Sequence, residues 1–590
     1  MSLVGLRSAL DRDASCAEFR RAAAISSGVS VEAPASLQPL LVAELVASMR
    51  EGRTAFVITA TGREAEDLHA VLPELVPGVR SAVFPSWETL PHERLSPSTD
   101  TVGRRVAVLR RLASPDSSDP RTQPLDVVVA SVRAFVQPVI AGIGQVEPVR
   151  IAVGDDISLS DVVARLVGLG YERVDLVERR GQVAVRGGIL DVFPPTEEHA
   201  LRVELWGDTV EEVRTFAVAD QRSLENAPEG IWAPAVRELL LTDEVRGKAA
   251  QLAAAAPELT DMCDRIANGQ SVEGMESLAP VLAGDMVLPV ELAAEGARVI
   301  VLDPERVRRR AHDVVRTAEE FLMASWHNAT VGNDIPIDLG AASYRDLDAV
   351  RDVARMRACD WWQLTPLTSD EELDDVAGDS TLRIGATELD GYRGDSAAAI
   401  GDIGSWTSAG AAVAVIAEGK GSVERLVEEL ADAQVPVAVV PSLEEPPAPG
   451  IATVVRGRLQ HGFAMDDSSL VVITETDIAG QRSSTKDMRR LPSRRRRAID
   501  PLSLKPGDFV VHEQHGVGRY VDMVQRTVAG AEREYLVLEY AASKRGQPTG
   551  RRRRAARARP SSRSPASSCG CTRPGRRARD SPSAPTRRGR

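Results

Sequence analysis

Two apolar periodicities alternate along this chain and divide it into segments of different kinds. Uninterrupted runs such as Ala55-Phe56-Val57-Ile58-Thr59, Ser81-Ala82-Val83-Phe84 and Asp126-Val127-Val128-Val129-Ala130-Ser131 have the form of strands covered on both faces. A helix is predicted over 62–72 and a turn over 120–124. Strands and helices in alternation predict a mostly parallel sheet over 1–148. Residues 235–370 read as helix-rich and complete that layer. They add a strand at Arg298-Val299-Ile300-Val301-Leu302 and a helix capped by Asp303, opened by Pro304 and running to about Ser325.

Between 149 and 234 the period becomes two. Leu201, Val203 and Leu205 fall on one side of a strand, Arg202, Glu204 and Trp206 on the other. The run Gln182-Val183-Ala184-Val185-Arg186 alternates likewise, and Gly187-Gly188 bends the chain before Ile189-Leu190-Asp191-Val192-Phe193-Pro194. The pattern predicts an inserted α+β domain whose outer face carries Arg186, Arg202 and Trp206. Trp and Arg anchor protein interfaces because they bring large area and fixed polar geometry at modest entropy cost. The plainer reading is a weak Arg202–Glu204 surface ion pair beside a Trp206 that covers a sheet edge.

Further along, 371–379 is an acidic linker, and 380–480 predicts a second small α/β domain with strands at 411–416, 435–440 and 470–474 and a helix at 422–433. A basic linker at 481–500 contains Arg494-Arg495-Arg496-Arg497. Over 501–544 the runs Phe509-Val510-Val511, Gly516-Val517-Gly518 and Tyr535-Leu536-Val537-Leu538-Glu539-Tyr540 predict a small Tudor-like β-barrel, left incomplete. Residues 545–590 mix Arg, Pro, Ser and Ala without period and cannot bury a core. They read as a nucleic-acid-binding arm or as the out-of-frame readout of a GC-rich gene. The second reading is preferred because the change falls inside the β-module.

At 590 residues, 43% hydrophobic and 27% charged, the chain has the composition of several globular domains. Its net charge of −13 hides an asymmetry: residues 551–590 hold fourteen Arg and a single acid, Asp580, so this tail carries +13 and the remaining 550 residues −26. An acidic body argues against a surface that tracks DNA throughout and favours protein partners with basic faces. Cys16, Cys263, Cys359, Cys569 and Cys571 lack metal-ligand spacing, so no metal is expected. No secretory leader or run of about 18 apolar residues occurs, which predicts a soluble, cytoplasmic chain away from membranes.

A phosphate loop needs glycines for close backbone approach and a Lys for charge. After Val29-Ser30-Val31 the chain instead has Glu32-Ala33-Pro34-Ala35-Ser36-Leu37, where Glu32 repels phosphate and Pro34 removes a donor. Gly419-Lys420-Gly421-Ser422 lacks the upstream glycine and carries an extra residue before Ser. In His512-Glu513-Gln514-His515 the histidines are three apart rather than four, which excludes the helical zinc-protease pattern. No catalytic residue and no bound cofactor are expected.

Tyr171, the run Arg186-Gly187-Gly188-Ile189-Leu190-Asp191-Val192-Phe193-Pro194, and Arg202 with Trp206 resemble the domain shared by UvrB and the transcription-repair coupling factors. Phe84-Pro85-Ser86-Trp87-Glu88-Thr89-Leu90-Pro91 with Ser96-Pro97 and Asp100 is similar to the first-domain signature of the coupling factors. His512-Glu513-Gln514-His515-Gly516-Val517-Gly518-Arg519-Tyr520 resembles the opening of their RNA-polymerase-interacting domain. The resemblance runs from about 15 to about 544 and implies an α/β multidomain fold. Its parts are a degenerate UvrB-like helicase-type layer at 1–148 and 235–370, a UvrA-binding insert at 149–234, the small domain at 380–480 and the partial barrel at 501–544. It further implies UvrA as partner through Arg186, Arg202 and Trp206, and the RNA polymerase β subunit as partner of the partial barrel, for which Tyr520, Arg526 and Leu536 are our own choice of contact residues. ATP, Mg and most DNA contact belong to a translocase motor that the resemblance places beyond this chain. An adaptor in transcription-coupled excision repair is therefore the leading expectation. A DNA-binding or DNA-dependent ATPase protein of the UvrB type is the alternative.

Overall fold

Strands whose both faces are apolar in sequence become the centre of a parallel sheet in the computed structural model, which describes residues 1–91, 93, 95–329, 342–366, 381–480, 509–512, 516–528 and 531–539. Among the described residues this sheet has seven strands, in the order Thr381–Arg383, Ser30–Glu32, Asp360–Thr365, Arg298–Leu302, Ala55–Thr59, Val127–Ser131, Ser81–Phe84. Every neighbouring pair is parallel. Phe56, Ile58, Val128, Val299 and Val301 face one core, while Val57, Val127, Val129, Ile300 and Trp362 face another. Period two inside a continuous apolar run thus feeds both layers.

Two strands of this sheet depart from the sequence reading. Asp360–Thr365 lies in the stretch read as helix-rich; its residues alternate between half-buried and buried, so no continuous apolar run marks it. Thr381–Arg383 pairs with Ser30–Glu32 and belongs to the first sheet, whereas the boundary at 380 assigned it to the second domain. Three residues at a sheet edge are too short to carry a period. The helix Pro304–Ala329 forms after Asp303, which adopts φ 51° and accepts the Arg306 N–H at 3.3 Å.

A second sheet, six-stranded among the described residues, runs Ala386–Glu388, Phe463–Met465, Leu470–Thr474, Ala412–Ala417, Ala452–Arg456, Val437–Val440. One face packs Val413, Val415 and Val454 on Leu426 and Leu430 of the helix Lys420–Asp432. The other face, with Ala414, Ile416, Val455 and Val472, joins the core that holds Val57 and Trp362. The N-terminal helices bridge the two layers, since Leu3, Leu6 and Phe19 lie in the same cluster. Gly5 donates its N–H to Leu443 O at 2.7 Å, and a Cβ there would stand 2.2 Å from the Glu445 carbonyl oxygen. Only glycine permits that approach.

The chain divides into one compact unit at Met1–Arg482 and another at Ser483–Arg590. In the second, the described residues form an antiparallel sheet of Phe509–His512, Gly516–Val528 and Ala531–Glu539. The strand expected at 516–518 continues to Val528. The linkers at 371–379 and 481–500, the tail at 545–590 and Cys569 and Cys571 lie outside the described residues, as do Glu513, Gln514 and His515. Among the described residues no helix is long and apolar enough to cross a membrane.

Candidate protein-interaction face

The inserted domain leaves and rejoins the first layer through one antiparallel pair, Val149–Ile151 with Ile231–Ala233. Its described sheet is ordered Ser223–Asn226, Thr209–Phe216, Ala200–Trp206, Ile189–Val192, Gln182–Arg186, Glu172–Arg173. Val183, Leu190, Val192, Leu201, Val203 and Val213 bury one face in the main core. The other face is divided. At one end Val177, Ala184, Phe193, Ala200 and Phe216 form a small second core; beyond it the sheet is open.

Arg202 and Asp191 stand at that border, directly opposite each other on adjacent strands. The guanidinium Nε and Nη2 donate to the two Asp191 oxygens at 2.7 and 2.9 Å, and its carbon lies 4.7 Å from the centre of the Phe216 ring. A third donor reaches Gln221 O at 3.3 Å. The hydrogen bond from Asp191 raises the Arg202 pKa, with burial opposing it. The Arg202–Glu204 ion pair of the plainer reading is not the one formed. Residues two apart on a strand are about 6.6 Å apart along it, whereas directly opposed residues lie about 5 Å apart.

Arg186 ends its strand exposed, with Nε and Nη2 donating to Asp175 O at 3.1 and 2.6 Å. Trp206 is 81% exposed at the end of the Ala200–Trp206 strand, after a register shift at Glu204/Leu205 and before Gly207 at φ 65°. Leu205 N–H donates to Gly188 O at 2.9 Å, which brings the turn after Arg186 beside the strand end that carries Trp206. The sheet therefore brings Arg186 and Trp206 to its open end, with Arg202 behind them as a paired, 17% exposed support. Tyr171 is buried and its hydroxyl has no partner, so it belongs to the core.

Sequence reasoning missed Glu238. It is buried just past the insert, where it accepts from Trp87 Nε1 at 2.8 Å and Arg105 Nε at 2.6 Å. Arg105 is fully buried and lies 4.3 Å from the centre of the Phe84 ring. Glu88 accepts from Ser98 at 2.7 Å and from Thr101. The Phe84–Pro91 signature is thus a polar knot that ties the layer to the far end of the insert. A lone acid within Ala235-Val236-Arg237-Glu238-Leu239-Leu240-Leu241 was its one visible signal.

At the expected phosphate-loop position the strand Ser30–Glu32 leads through Pro34 into a turn at Ala35–Leu37 and the helix Gln38–Ala47. At the second Gly-Lys site, Ser422 donates to Glu475 at 2.6 Å and Lys420 lies 3.7 Å from Glu424. The hydroxyl and the ammonium that a phosphate would engage at this helix start thus each stand beside a carboxylate. No group of three metal-ligating side chains occurs among the described residues. Tyr520, Arg526 and Leu536 lie on one hairpin, paired with Leu538, Arg533 and Met523.

Residues 149–237 match the family model of the UvrB interaction domain, 407–478 that of the MFD, D3 domain, and 504–546 that of the CarD-like/TRCF RID domain. Transcription-repair-coupling factor of Mycobacterium bovis is 45% identical over 545 residues, covering 90% of this chain and 43% of the relative. Those of Myxococcus xanthus and Bacillus subtilis are 30% identical over 523 residues and 24% over 507, covering 83% of this chain and 42% and 41% of theirs. The chain spans less than half the length of the curated relatives it matches.

Proposed function

We propose that this chain, which matches the N-terminal portion of the transcription-repair-coupling factors, serves as an adaptor that joins RNA polymerase to UvrA in excision repair. The observation that carries this reading is Trp206, held 81% exposed beside the Arg186 turn on the domain that matches the UvrB interaction family. An indole fills a partner pocket, Arg186 supplies charged donors at the rim, and Arg202 holds the strand at the register that presents both. The match to the RID family supports the polymerase β subunit as second partner, with Tyr520, Arg526 and Leu536 on the hairpin that would meet it. The parallel seven-stranded layer fits a helicase-type layer without a phosphate loop, and the 509–539 hairpins fit part of a Tudor-like barrel. On this reading the chain turns over no ATP itself. ATP, Mg and the main DNA contacts would lie in a motor outside these residues.

Calorimetric titration of the chain against UvrA, with Trp206→Ala and Arg186→Ala alongside, tests the reading. Binding by the parent that weakens at least tenfold in Trp206→Ala is expected. Absence of binding by the parent, or equal binding by both variants, removes the adaptor face. DNA-stimulated ATP turnover lost in Lys420→Ala would favour the ATPase alternative.

A further inference from the structure

Gln221 holds the left-handed backbone conformation, φ 62°, which residues other than glycine adopt uncommonly. It lies in the loop between the strands Thr209–Phe216 and Ser223–Asn226. There its N–H donates to Ala217 O at 2.8 Å, and Ala217 N–H donates to Arg222 O at 3.0 Å. A glycine would close this turn without strain, so a long amide here calls for a use of its side chain.

That use is visible at both ends of the residue. Its Nε2 donates to Val177 O at 3.1 Å and to Val218 O at 3.0 Å. Two carbonyl acceptors fix which end of the amide faces them, because only the NH2 end can donate. The backbone oxygen of Gln221 takes the third donor of Arg202.

Val177 belongs to the segment that supports Arg186. It is fully buried in the same small core as Phe216, the ring beneath Arg202, and follows by two residues Asp175, whose carbonyl oxygen receives both Arg186 donors. The far end of that segment is fastened to the Arg186 strand itself, since Glu178 and Arg179 N–H donate to Gln182 Oε1 at 3.0 and 3.1 Å. Arg186 and Arg202 sit on strands separated by Ile189–Val192. Gln221 reaches the supports of both: its amide grips the segment behind Arg186, and its carbonyl grips Arg202.

We propose that Gln221 is a positioning residue for the UvrA face, fixing Arg186 through the 175–179 segment while it holds Arg202. The proposal rests on the adaptor reading above. An arginine already anchored by its neighbours loses less rotamer freedom when a partner's carboxylate meets the rest of its fork.

Calorimetric titration of the full chain against UvrA tests this with Gln221→Met, which keeps length and apolar packing but deletes the two donors. Arg186→Ala is added to the parent, to Gln221→Met and to Val213→Ala. Val213 is buried on the opposite face of the sheet, so its truncation weakens the domain without touching the 175–179 segment. Gln221→Met should weaken UvrA at least about threefold; Arg186→Ala should cost at least about fivefold in the parent and in Val213→Ala, but under about twofold in Gln221→Met. Hydrogen exchange without UvrA supplies a second readout: the Glu178 and Arg179 amides should exchange at least about fivefold faster, relative to the sheet amides, in Gln221→Met and not in Val213→Ala. Unchanged exchange at those amides, additive losses in the double variant, or parent-like affinity of Arg186→Ala would each overturn the proposal while UvrA binding by the parent stands. No UvrA binding by the parent would remove the adaptor reading and this role with it.

Discussion

The indole N–H of Trp87 donates at 2.8 Å to Glu238, a residue separated from it by the whole inserted domain. The same carboxylate neutralises the fully buried Arg105. Removing Glu238 leaves a guanidinium in the core without its charge partner, the costly way to break a buried pair. Glu238→Ala should lower stability by about 3–5 kcal/mol, and Glu238→Gln by less because an acceptor for Trp87 survives. Urea unfolding of the parent and both variants measures this.

Trp206 and Arg202 should separate binding from folding. Trp206→Ala removes an exposed side chain and should leave the unfolding midpoint unchanged while UvrA affinity falls. Asp191→Asn weakens the bidentate pair and should lower stability by about 1–3 kcal/mol, with affinity falling only as the strand loosens. If Trp206→Ala lowered the melting temperature as much as Asp191→Asn, the indole would be a packing element instead.

His461 introduces a pH dependence. Its Nδ1 lies 3.2 Å from buried Asp477, and this hydrogen bond raises the His461 pKa above 6.5, against burial. A raised folded pKa contributes stability fully present below about pH 6.5, the unfolded value, and lost as pH rises through the folded pKa. Melting temperatures recorded from pH 5.5 to 8.5 should therefore converge at high pH for the parent and His461→Gln and separate at low pH. Parallel curves would exclude the linkage.

Nucleotide triphosphate should not stabilise the helix start at Gly419–Ser422. Glu475 already takes the Ser422 hydroxyl, and Glu424 lies beside Lys420. Lys420→Ala should leave the melting temperature the same with and without ATP and Mg. A Mg-dependent ATP shift that the variant abolishes would show a site there.

The doubly covered strands were legible because Ala55–Thr59 and Val127–Ser131 are apolar at every central position. The insert was legible for the opposite reason: Leu201, Val203 and Leu205 face a core, and Arg202, Glu204 and Trp206 do not. Asp360–Thr365 was hidden because, although Trp362 and Leu364 are buried at alternate positions, the intervening half-buried side carries the apolar Trp361, so the sequence shows neither a clean alternation nor a continuous apolar run. At the candidate face, exposure was readable and side-chain pairing was not. Arg202 looks the same in sequence whether its fork faces a partner or closes on Asp191, eleven residues earlier. Glu238 shows the limit most plainly, since its partners come from the other side of the insert.

The seating of Leu3 and Leu6 against a core that also contains Phe463 and Val472 has a consequence for how the fold opens. Leu3 donates its N–H to Glu74 O and Gly5 to Leu443 O, each at 2.7 Å, so one short segment fastens the helix Gly62–Leu75 to a part of the chain far along the sequence. Two layers stapled through a shared segment come apart together, because freeing either one strips that segment of part of its burial.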